Sequence, residues 1–119
     1  GEDLPRGVML QWSRWTTLPR YFFDDPAMDA AARMSRVRAP LLVLGFDDDP
    51  WANPRAISLL IEPLVHAKID RRQFAPRDVG LPAVGHMGFF RKRAGERLWP
   101  QVGNWLIEQA SVGRRAQEA

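Results

Sequence analysis

The stretch "LLVLGFDDDP", residues 41–50, constrains this chain more than any other. Five apolar residues with a single glycine exit run straight into three adjacent carboxylates. A short continuous apolar run bounded by a turn is the pattern of a strand covered on both faces, as in a parallel sheet. Ala39-Pro40 breaks the chain just before it. Three neighbouring carboxylates repel one another, so their place at the end of a buried strand calls for partners supplied from elsewhere in the sequence.

The flanking segments supply a fold class. Pro54 opens "PRAISLLIEPLVHA", in which Ile57, Leu60, Ile61, Leu64 and Val65 fall at helical spacing. Asn53 stands where an N-cap belongs, and Pro63 kinks or shortens the helix late. "KIDRRQFAP", residues 68–76, alternates and reads as a second strand. A strand–helix–strand unit predicts a parallel pair with a right-handed crossover. "RDVGLPAVGHMGFF" is a Gly/Pro-rich loop. "LWPQVGNWLIEQA" places Leu98, Val102, Trp105, Leu106 and Gln109 on one face of an amphipathic helix. Residues 112–119 are polar and are expected to form a flexible tail.

Upstream, "DLPRGVMLQWSRWTT" over residues 3–17 reads as a helix with Asp3 as cap and Pro5 in its first turn. Val8, Leu10, Trp12 and Trp15 form its apolar face. "YFFDDP" is an aromatic turn, and Pro26 to Met34 a second short helix. The expected organisation is a helical segment over 1–38, an α/β core over 39–111 and the tail. Neither N-terminal helix carries a catalytic constellation.

Composition excludes several functions. At 45% hydrophobic and 26% charged residues, with five Trp and six Phe in 119 residues, the chain is of a soluble globular type. The formal charge of +3 comes with arginines scattered in short clusters rather than gathered in one stripe, so no nucleic-acid partner is expected. No cysteine is present, which rules out disulfides, thiolate catalysis and cysteine-ligated metals and fits a cytoplasmic setting. No apolar run is long enough for a membrane span, so no membrane partner is expected. Three successive carboxylates cannot all face one ion, and no metal or other cofactor is expected.

Ligands in open α/β sheets bind at the carboxyl ends of the strands. The aspartates end the first strand and "VGHMGFF" follows the second, so both belong to one rim. A histidine acting as general base needs its other ring nitrogen held by a carboxylate. One of Asp47, Asp48 and Asp49 is expected to turn toward His86 while the others face solvent or accept hydrogen bonds in the turn. The bland alternative is an acidic turn that only caps a helix. His66, at the end of a helical pattern, reads as a cap or surface residue.

"PLLVLGFDDDPWANPRAI", "VGHMGFFR" and "LWPQVGNWL" together resemble the C-terminal third of an α/β-hydrolase, and the Trp-rich helix before the strand resembles an uncharacterised bacterial branch of that superfamily. The resemblance implies a Ser-acid-His triad in that chain order, with the acid after a glycine-x-x-Asp turn and the histidine in a Gly-His loop. Carried over, Gly45 matches the glycine, Asp48 the acid and His86 the histidine. Asp49 is the main rival because register at a turn is loose. It also implies a small ester or amide as substrate. If a cap covers the crevice, Trp12, Trp15, Tyr21, Phe22 and Phe23 are placed by position and apolarity to line an acyl pocket.

One departure is large. No G-x-S-x-G elbow exists, and none of Ser13, Ser35, Ser58 and Ser111 has glycines two positions away on both sides. The chain opens "GEDLPRG" without an initiator methionine. It therefore reads as the C-terminal part of a serine hydrolase whose nucleophile lies upstream of Gly1, inactive alone and expected to self-associate through strand-edge pairing or exchange of the Trp-rich N-terminal helix. The alternative is a stand-alone, non-catalytic α/β interaction module.

Overall fold

The described residues form four helices, two strands and three short 3₁₀ turns. The computed structural model describes residues 4–118. It separates into two units, one holding the residues up to Val37 with Pro63–His66, the other Arg38–Glu62 with the residues from Ala67 onward.

In the first unit, α1 spans Arg6–Thr16 and α2 spans Ala30–Ser35, joined through a 3₁₀ turn at Tyr21–Asp24. The helix start at Pro5 has no side-chain cap, and the expected Asp3 cap lies outside the described residues. Val8, Leu10 and Trp12 stay exposed, and of the expected apolar face only Trp15 is half-buried. What orders this unit is aromatic and polar instead. Trp15 stands edge-on to Tyr21 and Phe22 at 5.7 and 5.8 Å. Its indole N–H donates to buried Asp25 at 2.8 Å, and Arg14 pairs with the same carboxylate. The second helix begins four residues later than its sequence pattern suggests. Pro26–Met28 forms a turn instead, and Asp29 sits at φ 46° just before Ala30.

The second unit is the α/β part. Its strands β1 (Pro40–Phe46) and β2 (Lys68–Phe74) pair in parallel, in register from Pro40–Lys68 to Phe46–Phe74. Between them runs α3, Pro54–Ile61. Asn53 caps it by accepting the Ala56 N–H at 2.9 Å, and Pro63 stops it six residues short of the expected end. Arg71 on β2 donates to the Pro54 carbonyl and the Ser58 hydroxyl, which ties the crossover helix to the sheet.

Gly45 is required by close packing. A Cβ there would overlap the Gln73 side chain and come within 2.8 Å of Ile57 Cδ1 on α3. On the opposite face, Phe46, Leu81, Val84, Ala94 and Leu98 form the core, with Leu44, Phe74, Val79 and Phe89 packed around them.

Two expectations need correction here. The first strand is not covered on both faces along its length: only Gly45 and Phe46 are buried, while Leu41–Leu44 are half-exposed. The described residues place a neighbour on one edge of β1 and none on the other, leaving a two-stranded sheet. The last helix, α4, runs from Lys92 to Glu118, six residues earlier than expected and on through the polar end. Ala94 and Gly95 bury its first turn, and Leu98 is wholly enclosed. Gly95 makes room for Trp99 to fold back, and the Trp99 indole N–H donates to the Phe89 carbonyl at 2.8 Å.

Candidate functional site

Each of the three aspartates has a different partner. Asp47 ends the ladder by donating its N–H to the Phe74 carbonyl, and its exposed carboxylate accepts from the Gln73 amide at 3.0 Å. Asp48, also exposed, turns toward the histidine loop and accepts the Val84 N–H at 2.8 Å. Asp49 is only 6% exposed and faces the imidazole: His86 Nδ1 lies 3.1 and 3.0 Å from its two oxygens. Mutual repulsion is thereby offset by donors of its own at each carboxylate.

The carboxylate that meets His86 is therefore Asp49, the position four beyond Gly45, rather than Asp48. The reason is local. Phe46 faces the core, so the turn that starts there, closed by the Asp49 N–H on the Phe46 carbonyl, points the fourth residue back inward. Asp49 Oδ1 also accepts the N–H groups of Trp51 and Ala52, each at 2.9 Å. Burial pushes its carboxyl up, but donation from Ala52, His86 and Trp51 outweighs burial and holds it below the usual aspartate range. Asp49 is thus ionised at neutral pH and can only accept. In the neutral ring Nδ1 must then carry the proton, which leaves the Nε2 lone pair available.

The histidine loop is shaped for this pairing. Leu81 and Val84 anchor it in the core, and Gly85 turns it at φ 66°, a left-handed conformation that disfavours a side chain. The ring itself is 40% exposed against the 6% of its acid. Trp51, 74% exposed, stands edge-on to it at 4.9 Å. Sequence reasoning missed Trp51; the signal lay in its place two residues after the acid, on the same turn.

No protein-family model matches the chain, and no curated protein or solved structure matches it either.

Other sequence-derived candidates fall elsewhere. His66 is exposed, in the first unit. The Ser58 and Ser111 hydroxyls donate to the carbonyls four residues before them on their own helices, and the Ser35 hydroxyl donates to Ala32. Trp15, Tyr21 and Phe22 pack on one another within the first unit. Among the described residues no group of three or more acidic or histidine side chains is arranged to hold a metal ion. No helix among them is long and apolar enough to cross a membrane.

The arrangement is chemically specific. A partly exposed imidazole is fixed through Nδ1 by a buried, ionised carboxylate. It can accept a proton at Nε2, and the imidazolium that forms is stabilised by a neighbouring negative charge.

Proposed function

We propose that this chain supplies the general base and its orienting acid to a serine hydrolase of the α/β-hydrolase kind that cleaves a small ester or amide. His86 is the base and Asp49 the acid, while Asp48 holds the loop. The observation that carries the reading is the contact of His86 Nδ1 with both oxygens of the buried Asp49. In the reaction, Nε2 takes the proton of an attacking hydroxyl while Asp49 stays ionised beside the imidazolium. The same proton then passes to the leaving alkoxide or amine. The nucleophile belongs to polypeptide outside these 119 residues, since no serine here stands in an elbow and those on α3 and α4 are engaged with backbone carbonyls.

A second reading is favoured by one feature. Asp49 also organises the turn through Trp51 and Ala52, so the pair can serve a non-catalytic α/β interaction module in which His86 is only one more hydrogen-bond partner of a buried carboxylate. Fluorophosphonate labelling separates the two. A longer polypeptide carrying this chain should be labelled, His86→Ala should abolish the label, and the 119-residue chain should stay unlabelled. Labelling indifferent to His86, or none in the longer form, favours the interaction module.

A further inference from the structure

Two consecutive carboxylates grip the histidine loop at two nearby points. Asp49 takes the His86 ring, and Asp48 takes the Val84 N–H at 2.8 Å. Two residues of chain reach about 7 Å at most, so fixing the Val84 amide confines where His86 can begin. The joint between them is Gly85, at φ 66°, and apart from its two chain neighbours no residue comes within 4 Å of the place a Cβ would occupy. A glycine joint with open space around it does not set the direction of the next side chain. The Val84 side chain sits in the core and keeps the loop near the strand ends, but burial is not directional. A hydrogen bond from a backbone N–H to an ionised carboxylate is directional.

We propose that Asp48 is a positioning residue: it orients the loop so that the imidazole presents Nδ1 to Asp49 rather than turning about Gly85. Its carboxylate acts as an acceptor toward Val84 and touches no reacting group. This inference rests on the His86–Asp49 pair of the functional reading, but not on what chemistry the pair performs.

The chain has only two histidines, so long-range ¹H–¹⁵N correlation spectra of the neutral imidazoles test it directly, with exposed His66 as the internal reference. His86 should be chiefly the Nδ1–H tautomer, against the Nε2–H preference of a free imidazole at His66. Asp49→Asn tests the pair itself and should shift His86 away from the Nδ1–H form. Asp48→Ala should turn His86 from mainly Nδ1–H to mainly Nε2–H, while Asp48→Asn, which keeps an acceptor oxygen for Val84, should restore the unaltered pattern. A fold check by far-UV circular dichroism accompanies each variant. If Asp48→Ala fails to fold, Asp48→Ser, with a shorter acceptor, takes its place and should give a mixed pattern. An unchanged His86 tautomer in Asp48→Ala, or in its Ser replacement, while Asp49→Asn does change it, overturns the role of Asp48 and leaves the pair standing. No response to Asp49→Asn removes the pair and this inference together.

Discussion

Asp49 shows how one residue's charge is tied to stability. Its carboxyl is held below the ordinary aspartate value by its donors, so between the folded and unfolded values the unfolded chain binds more protons. The contribution is therefore complete above about pH 3.9, the unfolded reference, and is lost as pH falls through the lower folded value. Asp25, lowered chiefly by the Trp15 indole, and Asp70, lowered chiefly by Arg72, act with the same sign, so acid unfolding of the whole chain does not isolate Asp49. Asp49→Asn does. The variant should melt below the parent at pH 7, and the gap should narrow as pH falls below about 3.9, where the unfolded parent takes up the proton that the folded carboxylate resists. A gap of constant size across a pH series of thermal melts would show that shape, not charge, is what Asp49 contributes. This residue also marks the limit of what the sequence reveals. A carboxylate on His86 was legible from strand, glycine and Gly-His loop together. Which of three adjacent aspartates it is was not, because a one-residue shift in a turn redirects every side chain and only the Phe46–Asp49 turn closure decides it.

At the level of elements, local signals with a mechanism were the legible ones. Asn53 before Pro54 marked the start of α3, and the apolar run ending in Gly45 marked β1. The start of α4 was hidden. "RKRAGER" puts three cations at the helix end that repels them and a glycine in its first turns, and both weigh against a helix. Packing overrides them: Ala94 lies in the core, Gly95 is buried and Leu98 is fully enclosed. The energetic ordering follows. Leu98→Ala should cost about 2–5 kcal/mol, because it opens a cavity at the one fully enclosed large side chain among the described residues. Asn53→Ala should cost about 1 kcal/mol through loss of a single exposed cap. Urea titrations of both variants check the pair. Equal losses would mean that α4 is not docked on Leu98 as described.

The whole molecule carries more apolar surface than its small core can cover. Two-stranded sheets are marginal on their own, and β1 is an apolar strand with a partner on one edge. Beside it lies an open groove of about 370 Å³ bounded by Pro40, Leu41, Leu42 and Leu44 on β1, Phe89, and Val102, Trp105 and Leu106 on α4. Leu106, which lines it, is more than half exposed, and an unpaired strand edge beside apolar surface is a template for association. The isolated 119-residue chain should therefore self-associate through this face, sedimenting above its 13.6 kDa monomer mass with a concentration dependence. Leu106→Glu adds a charge to the groove where the side chain is already solvent-accessible, so it should shift the particle toward monomer with little change in melting temperature. That comparison separates specific pairing from general stickiness, since Trp51 and Phe90, exposed at the histidine rim, are untouched by it. A monomer at every concentration would mean that α4 and β1 shield each other better than their exposure implies. Association unmoved by Leu106→Glu would place the contact elsewhere, with the aromatic rim around His86 the next surface to test.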